Sequence, residues 1–407
     1  MIPERIRNDF PVLERRFDGK PIIYFDSACQ TLRPKSVIDA ITRYYNEFPA
    51  CAGRSVHKLA TQVSLEIDTA RGRIAEFVNA KSADQICFFK NCTEAMNTVL
   101  FGIGLKKGDT VVATDREHNS MHVPLLMLKD TVGIEYDYVQ SRKDETFDLD
   151  RFTDMMNKKV RLVAMCHTSN VNGTTIPAKE ICDIAHENGC IVLLDGAQYM
   201  PYGVADLEKI GADLYAFSSH KMCGPSGLGV LYGKTGILEE IKPLIYGGHA
   251  IVRSDRDKAE LISPPERFEA GLQNYSGIIG AGAATTYLSD IGRENIVSHV
   301  SSLNKLATDG LSEIKEVSIL EPVEPSERGG ILSFNIDGYR AHDVAMIADH
   351  RENVMIRSGM HCVHSWFNDR GIEGSARASF YIYNTKEEVE VFIDMIRKIA
   401  SSNVTKQ

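Results

Sequence analysis

An apolar run, Ala212-Asp213-Leu214-Tyr215-Ala216-Phe217, opens directly into Ser218-Ser219-His220-Lys221, and an earlier apolar strand pattern ends in Asp195. A lysine amine at the mouth of one strand can condense with an aldehyde. A carboxylate ending a second buried strand can keep a pyridine nitrogen protonated, so that the ring withdraws electrons. Anchor and electron-sink partner are together what pyridoxal phosphate requires. Taken singly, the lysine reads as a solvated surface charge and the aspartate as a helix cap; the combination carries the specificity.

Other residues could serve the same chemistry. Asn91-Cys92-Thr93-Glu94-Ala95-Met96-Asn97 follows a strand and begins a helix, which places Thr93 and free backbone N–H groups at a positive helix end suited to a phosphate. Ser218 and His220, flanking Lys221, can add donors to that phosphate, and His118 can lie against a cofactor ring and relay protons. Gln198 can bond a ring oxygen, while Asn170 can reach that oxygen or a substrate carboxylate. Arg377, among small residues on an expected strand, suits bidentate capture of an α-carboxylate or an interdomain ion pair. In Arg357-Ser358-Gly359-Met360-His361-Cys362-Val363-His364-Ser365-Trp366, Cys362 can be a mobile nucleophilic thiol, a packed core cysteine, or, with His361 and His364, a metal ligand.

These positions need strands to gather them. From about residue 65 to 235, amphipathic helical stretches alternate with short apolar runs at Asp84–Phe89, Thr110–Ala113, Arg161–His167, Cys190–Asp195, Asp213–Ser218 and Gly227–Tyr232. This is the pattern of an α/β fold with βαβ units and a mainly parallel sheet buried on both faces, whose carboxyl ends form the site. A long helix over Gly277–Ile291 leads to a different pattern. Strands at Gly330–Ile336, Asn353–Ser358 and Arg377–Tyr381, with helices near Ala341–Asp349 and Lys386–Ala400, indicate a smaller α+β domain.

The bulk numbers narrow the partners. The 407 residues, 43% hydrophobic and 25% charged, fit an ordinary globular chain with more than one domain. A net charge of -9 without a run of basic residues argues against nucleic acid or anionic membrane and toward a small molecule or another protein as partner. The opening residues, Met1 to Phe10, mix acids with bases and have no apolar core of a secretory signal, and no apolar run is long enough for a membrane span, so a cytoplasmic protein is expected. Nine cysteines without a CxxC pair speak for reduced thiols, with Cys87, Cys166, Cys182 and Cys190 assigned to the core.

Read in order, Thr93-Glu94-Ala95-Met96-Asn97, Glu117-His118-Asn119, Ser169-Asn170-Val171, Asp195-Gly196-Ala197-Gln198, Phe217-Ser218-Ser219-His220-Lys221, Phe268-Glu269-Ala270-Gly271, Arg357 to Cys362 and Arg377-Ala378-Ser379 resemble the cysteine desulfurase/selenocysteine lyase family, in its type II branch. These are fold-type I pyridoxal phosphate enzymes of the class V aminotransferase group. The resemblance implies a large domain over 21–290 with a mainly parallel, seven-stranded sheet flanked by helices. A smaller α+β domain over 291–407 carries the Cys362 loop, and residues 1–20 pack with it. It implies Lys221 as the Schiff-base lysine, Asp195 as the pyridinium partner, Gln198 on the ring oxygen and His118 against the ring. Thr93, Ser218 and His220 bind phosphate, Asn170 and Arg377 hold the substrate carboxylate, and Cys362 accepts sulfur. No metal is implied.

The family pattern further implies L-cysteine (or L-selenocysteine) as substrate, a protein sulfur acceptor serving iron–sulfur cluster or other sulfur-compound biosynthesis, and a homodimer. At its interface Arg54, His57 and the 268–277 loop border the pocket. Where the family usually continues with Thr-Pro after Gly271, this chain has Leu272-Gln273, so one phosphate donor from the neighbouring subunit is missing. Met360, Gly53 and His364-Ser365-Trp366 also depart from the pattern. A selenocysteine lyase, an aminotransferase or epimerase in which Cys362 is incidental, and a thiol or metal-binding assembly protein are the competing readings. A cysteine thiol is only a few per cent ionised at neutral pH, so a cation must assist it; His361 and His118 are the candidates in sequence.

Overall fold

The six expected apolar runs of the first part all form strands of one sheet, with ends shifted by a residue or two. The structure is a computed structural model describing residues 4–404, so the ends of the two terminal segments, 1–3 and 405–407, lie outside the described residues. The strands are β1 (Ile86–Phe89), β2 (Thr110–Thr114), β3 (Glu135–Val139), β4 (Val160–Cys166), β5 (Ile191–Asp195), β6 (Leu214–Ser218) and β7 (Gly229–Gly233). Their spatial order is β1-β7-β6-β5-β4-β2-β3. β7 is antiparallel to both neighbours and all other pairs are parallel. β1 therefore runs in the same direction as β6, and the carboxyl ends of β1, β2, β4, β5 and β6 share one edge.

Side chains alternate between two separate cores, as the pleat requires. Val111, Leu162, Leu193 and Leu231 face one layer; Val112, Val163, Val192 and Val230 face the other. Burial on both faces explains why these strands read as unbroken apolar runs. The edge strand β3 does not, because Glu135, Asp137 and Tyr138 are exposed and only Val139 is buried.

The helix Tyr275–Ile291 packs on the helix Lys58–Phe77 so closely that a Cβ on Gly282 would lie 2.7 Å from the Ala70 Cβ. At Gly292 (φ 89°) the chain turns into the helix Arg293–Ser312, which the apolar pattern does not announce. Beyond it lies a four-stranded antiparallel sheet of β8 (Val317–Ile319), β9 (Ile331–Ile336), β10 (Arg357–Gly359) and β11 (Ser375–Ser379), in the order β8-β9-β11-β10. Helices Ala341–Glu352 and Lys386–Val404 accompany it.

The single strand expected over Asn353–Ser358 is two. Val354–Met355 pairs in parallel with Ile23–Tyr24, and only Arg357–Gly359 joins the four-stranded sheet. The first residues also reach this region: Arg7 pairs with Glu388 at 2.6 Å, and the Phe10 ring packs edge-on against Tyr287 and Tyr383. Contacts with the C-terminal part therefore run past residue 20, through the bridge of Asp26 to Ser379.

Candidate active site

Ten of the residues proposed for the site line one cavity of about 260 Å³ outside the common carboxyl edge: Thr93, His118, Asn170, Asp195, Gln198, Ser218, His220, Lys221, Cys362 and Arg377. The volume is near the lower end for small-molecule sites. Five strand ends deliver these groups, and the second sheet supplies Arg377 from β11 and Cys362 from the loop after β10.

At one end of the cavity the helix Cys92–Gly102 begins. Asn91 caps it by accepting from Glu94 N–H at 2.9 Å, and the Cys92 N–H donates to Ser218 Oγ at 2.9 Å. β7 can pass beneath this turn only as glycine: a Cβ on Gly229 would lie 2.3 Å from the Asn91 carbonyl carbon. Glu269 of the Phe268–Gly271 motif is structural. It accepts two bonds from Arg71, at 2.7 and 2.9 Å, and one from the Phe88 N–H, tying that loop to β1.

Asp195, 5% exposed, accepts from the Ala197 N–H at 2.9 Å and from the Cys92 thiol at 3.4 Å. The Lys221 amine makes no hydrogen bond or ion pair among the described residues. Desolvation lowers its pKa against the opposing pull of Asp195, which favours a free, nucleophilic amine. His118 caps the next helix: its Nδ1 accepts from the Ser120 N–H at 3.0 Å, which assigns the ring proton to Nε2. Burial, with Lys221 nearby, depresses its pKa to about 4. His220 is likewise held neutral, at about 4, by burial and then Lys221.

Arg377, 2% exposed, donates Nη1 to the Asn170 carbonyl at 2.8 Å and stands 3.6 Å from Asp26, while its Nε is buried without a partner. It thus both pairs with Asp26 and lines the cavity. Asn170 spends its Nδ2 on the His361 carbonyl. Gln198 donates Nε2 to the Ala28 carbonyl at 2.7 Å and leaves Oε1 buried and unpaired.

Cys362 is exposed, which removes the core reading. It and His361 adopt left-handed backbone, φ 61° and 50°. The loop is pinned by Asn119 N–H to the Cys362 carbonyl at 2.8 Å and by His361 Nε2 with Ser375 Oγ at 2.8 Å. The segment expected as an open loop then becomes the helix His364–Asp369. Arg370 anchors it, bridging Glu145 at 2.9 Å and Asp115 at 3.1 Å with its guanidinium over the Trp366 ring. His364 faces Asn119 at 3.0 Å, and among the described residues no three His, Cys, Asp or Glu side chains stand close enough to hold a metal. His361 is kept neutral, its pKa depressed to about 2 by burial, then by Arg377 and Arg357. Neither candidate histidine is therefore a cation at neutral pH; the permanent positive charges of the cavity are Arg357 and Arg377.

Ala28 and Cys29, from the loop after Ile23–Tyr24, line the cavity outside every sequence motif, and Arg357, the first residue of the Arg357–Cys362 motif, lines it although the sequence reading gave it no role. Arg54, His57 and Leu272 do not line the cavity within one chain; Leu272 is 71% exposed.

Pyridoxal phosphate fits this donor set. An uncommitted, desolvated amine and a buried carboxylate share the cavity with a helix N-terminus and hydroxyl groups for a phosphate. Arg377, whose buried Nε has no partner, lines the same cavity.

Comparison with known proteins agrees with this geometry. The class-V aminotransferase family model matches residues 23–392. A cysteine desulfurase of Haloferax volcanii is 38% identical over 409 residues, covering 97% of this chain and 96% of the relative. The apo structure of a cysteine desulfurase from Thermococcus onnurineus NA1 superposes with a TM-score of 0.94 at 35% identity, covering 99% of each chain. The cysteine desulfurase CsdA from Escherichia coli, solved as the S-sulfonic acid, gives 0.89 at 29% identity over 98% of each. With the family model spanning most of its length and full-length relatives above 30% identity, the chain belongs to the class-V aminotransferase family and, within it, to the cysteine desulfurases.

Proposed function

We propose that this chain is a pyridoxal-phosphate-dependent cysteine desulfurase that converts L-cysteine to L-alanine and takes up the sulfur on Cys362 as a persulfide. The observation that carries the reading is one cavity faced by the Lys221 amine, the Asp195 carboxylate, the Arg377 guanidinium and an exposed thiol. When bound, the cofactor supplies an electron sink for charge developing at the substrate Cα. Asp195 holds its ring nitrogen, Gln198 its ring oxygen, His118 supports the ring, and Thr93, Ser218 and His220 hold the phosphate. Arg377 and Asn170 hold the substrate carboxylate.

Lys221 anchors the cofactor and, once released as a free amine, takes the Cα proton; its lowered pKa suits it to that task. The Cys362 sulfur attacks the substrate sulfur. An S–S bond forms as the substrate Cβ–Sγ bond breaks, that bond's electron pair stays with the carbon skeleton, and the skeleton leaves as alanine after Cβ and Cα have each taken up a proton.

The reading extends to the assembly. Exposed Val56, Tyr246, Val252 and Leu272 lie on segments that meet through Gly271 N–H to the Gly248 carbonyl and through Gly248 under Arg54, an apolar surface that supports a homodimer. The large domain spans 21–290 and the small domain 291–407, with 1–20 packed on the latter, a division supported by the break at Gly292. Nine free cysteines support a cytoplasmic location, and no helix among the described residues is long and apolar enough to cross a membrane. A protein acceptor serving iron–sulfur cluster or other sulfur-compound synthesis completes the proposal.

Incubation with L-cysteine, with alanine quantified and the thiols mapped by mass, tests it. Lys221→Ala loses the visible absorbance of the bound cofactor. Cys362→Ala keeps that absorbance and loses most sulfur release. Parental turnover by Cys362→Ala rejects the persulfide role, and amino transfer to a keto acid favours an aminotransferase.

A further inference from the structure

Two thiols outside the buried core line the cavity: Cys362, exposed, and Cys29, half-buried. The loop bearing Cys29 is fixed from both sides by the catalytic machinery. The Ala28 carbonyl accepts from Gln198 Nε2 at 2.7 Å, and Thr31 donates both its N–H, at 2.9 Å, and its Oγ1, at 3.0 Å, to the carbonyl of His220, the residue before Lys221. Cys29 Sγ accepts from Arg357 Nη1 at 3.2 Å, and Arg357 opens the strand that runs into the Cys362 loop. The second thiol is thus hydrogen-bonded to the segment that carries the first.

Three buried polar atoms on side chains that line the same cavity have no partner, Arg377 Nε, His361 Nδ1 and Gln198 Oε1, on residues 2%, 5% and 3% exposed, so the cavity that Cys29 lines is built to receive a polar ligand. Two further cysteines line it, but Cys92 and Cys166 are fully buried, and desolvation raises both pKa values far above the ordinary thiol range, so they stay protonated. Neither competes as a nucleophile.

We propose that Cys29 is a second sulfur-accepting site, which takes the outer sulfur from a persulfide carried by Cys362. The inference rests on the reading that Cys362 is the primary acceptor. The Cys29 thiolate attacks the outer sulfur; a bond forms between Cys29 Sγ and that sulfur as the S–S bond at Cys362 breaks. Its electron pair stays on Cys362 Sγ, which takes up a proton in place of the one Cys29 lost. One persulfide is exchanged for another, so neither oxidant nor reductant is consumed. A shared cavity gives the transfer the advantage of an intramolecular step over attack by free thiols. Cys362 is then free for another turnover while the sulfur is held beside Arg357.

The test uses holoenzyme and L-cysteine without reductant, quenched by alkylation and mapped by peptide mass, with alanine counted in the initial burst. Expected are persulfide at both Cys29 and Cys362 and a burst about two-fold larger than that of Cys29→Ser, one alanine accompanying each acceptor filled. Persulfide confined to Cys362, with equal bursts in parent and Cys29→Ser, overturns the proposal and leaves the primary reading standing. Alanine without persulfide on either thiol defeats the primary reading itself. Persulfide on Cys29 at the parental level in Cys362→Ala overturns the relay, because the sulfur then arrives without passing through Cys362.

Discussion

Asn170 Nδ2 donates to the carbonyl of His361, so the loop after β4 grips the backbone one residue before the exposed thiol. That grip opposes a cost. His361 and Cys362 both occupy left-handed backbone, a region that non-glycine residues enter only at about 1–3 kcal/mol each and keep only when their surroundings hold them there.

Removing the grip with Asn170→Ala loosens the loop even without substrate. Loss of one hydrogen bond of about 1 kcal/mol predicts roughly five-fold faster amide exchange over residues 361–363, with exchange in β4 unchanged. Unaltered exchange would show that Asn119 and Ser375 suffice to hold the conformation.

Glu117 links pH to stability. Its carboxylate, 1% exposed, accepts from the Thr114 and Cys166 N–H groups, and desolvation raises its pKa from 4.5 to about 7. Because the folded pKa lies above the ordinary one, its stabilising contribution is complete below pH 4.5 and is lost as pH rises through 7. Glu117→Gln is therefore expected to flatten the pH dependence of denaturant unfolding between pH 5 and 8. It should gain on the parent toward pH 8 by on the order of 1–3 kcal/mol. Parallel profiles would remove Glu117 as the source.

Gly229→Ala tests how the start of the helix Cys92–Gly102 is built. The added Cβ meets the Asn91 backbone at 2.3 to 2.6 Å, where no flexible side chain can yield. A loss of about 1–3 kcal/mol in unfolding free energy is expected, with weaker retention of the cofactor during dialysis, because the helix start is pushed off β7.

The sheet was legible where both faces are buried. β1, β2, β4, β5, β6 and β7 are apolar runs because each side chain meets one core or the other. β3 was not, since its exposed Glu135 and Asp137 erase the signal at the sheet edge. The helix His364–Asp369 escaped for another reason: distant partners, Glu145 and Asp115 through Arg370, hold it in place rather than any local period. The cavity's ten expected residues stand at strand ends or in recognisable motifs. Cys29 does not, and its place in the cavity wall and its hydrogen bond from Arg357, spanning the two ends of the chain, bring it into view.

Burial also sorts the chain's own sulfur. Six of its nine cysteines are buried, and only Cys29, Cys51 and Cys362 are open to solvent in any degree. An enzyme that makes reactive sulfur risks scattering it over its own body. Here the protein interior shields six thiols from solvent, and of the three left open two, Cys29 and Cys362, line the cavity that holds Lys221.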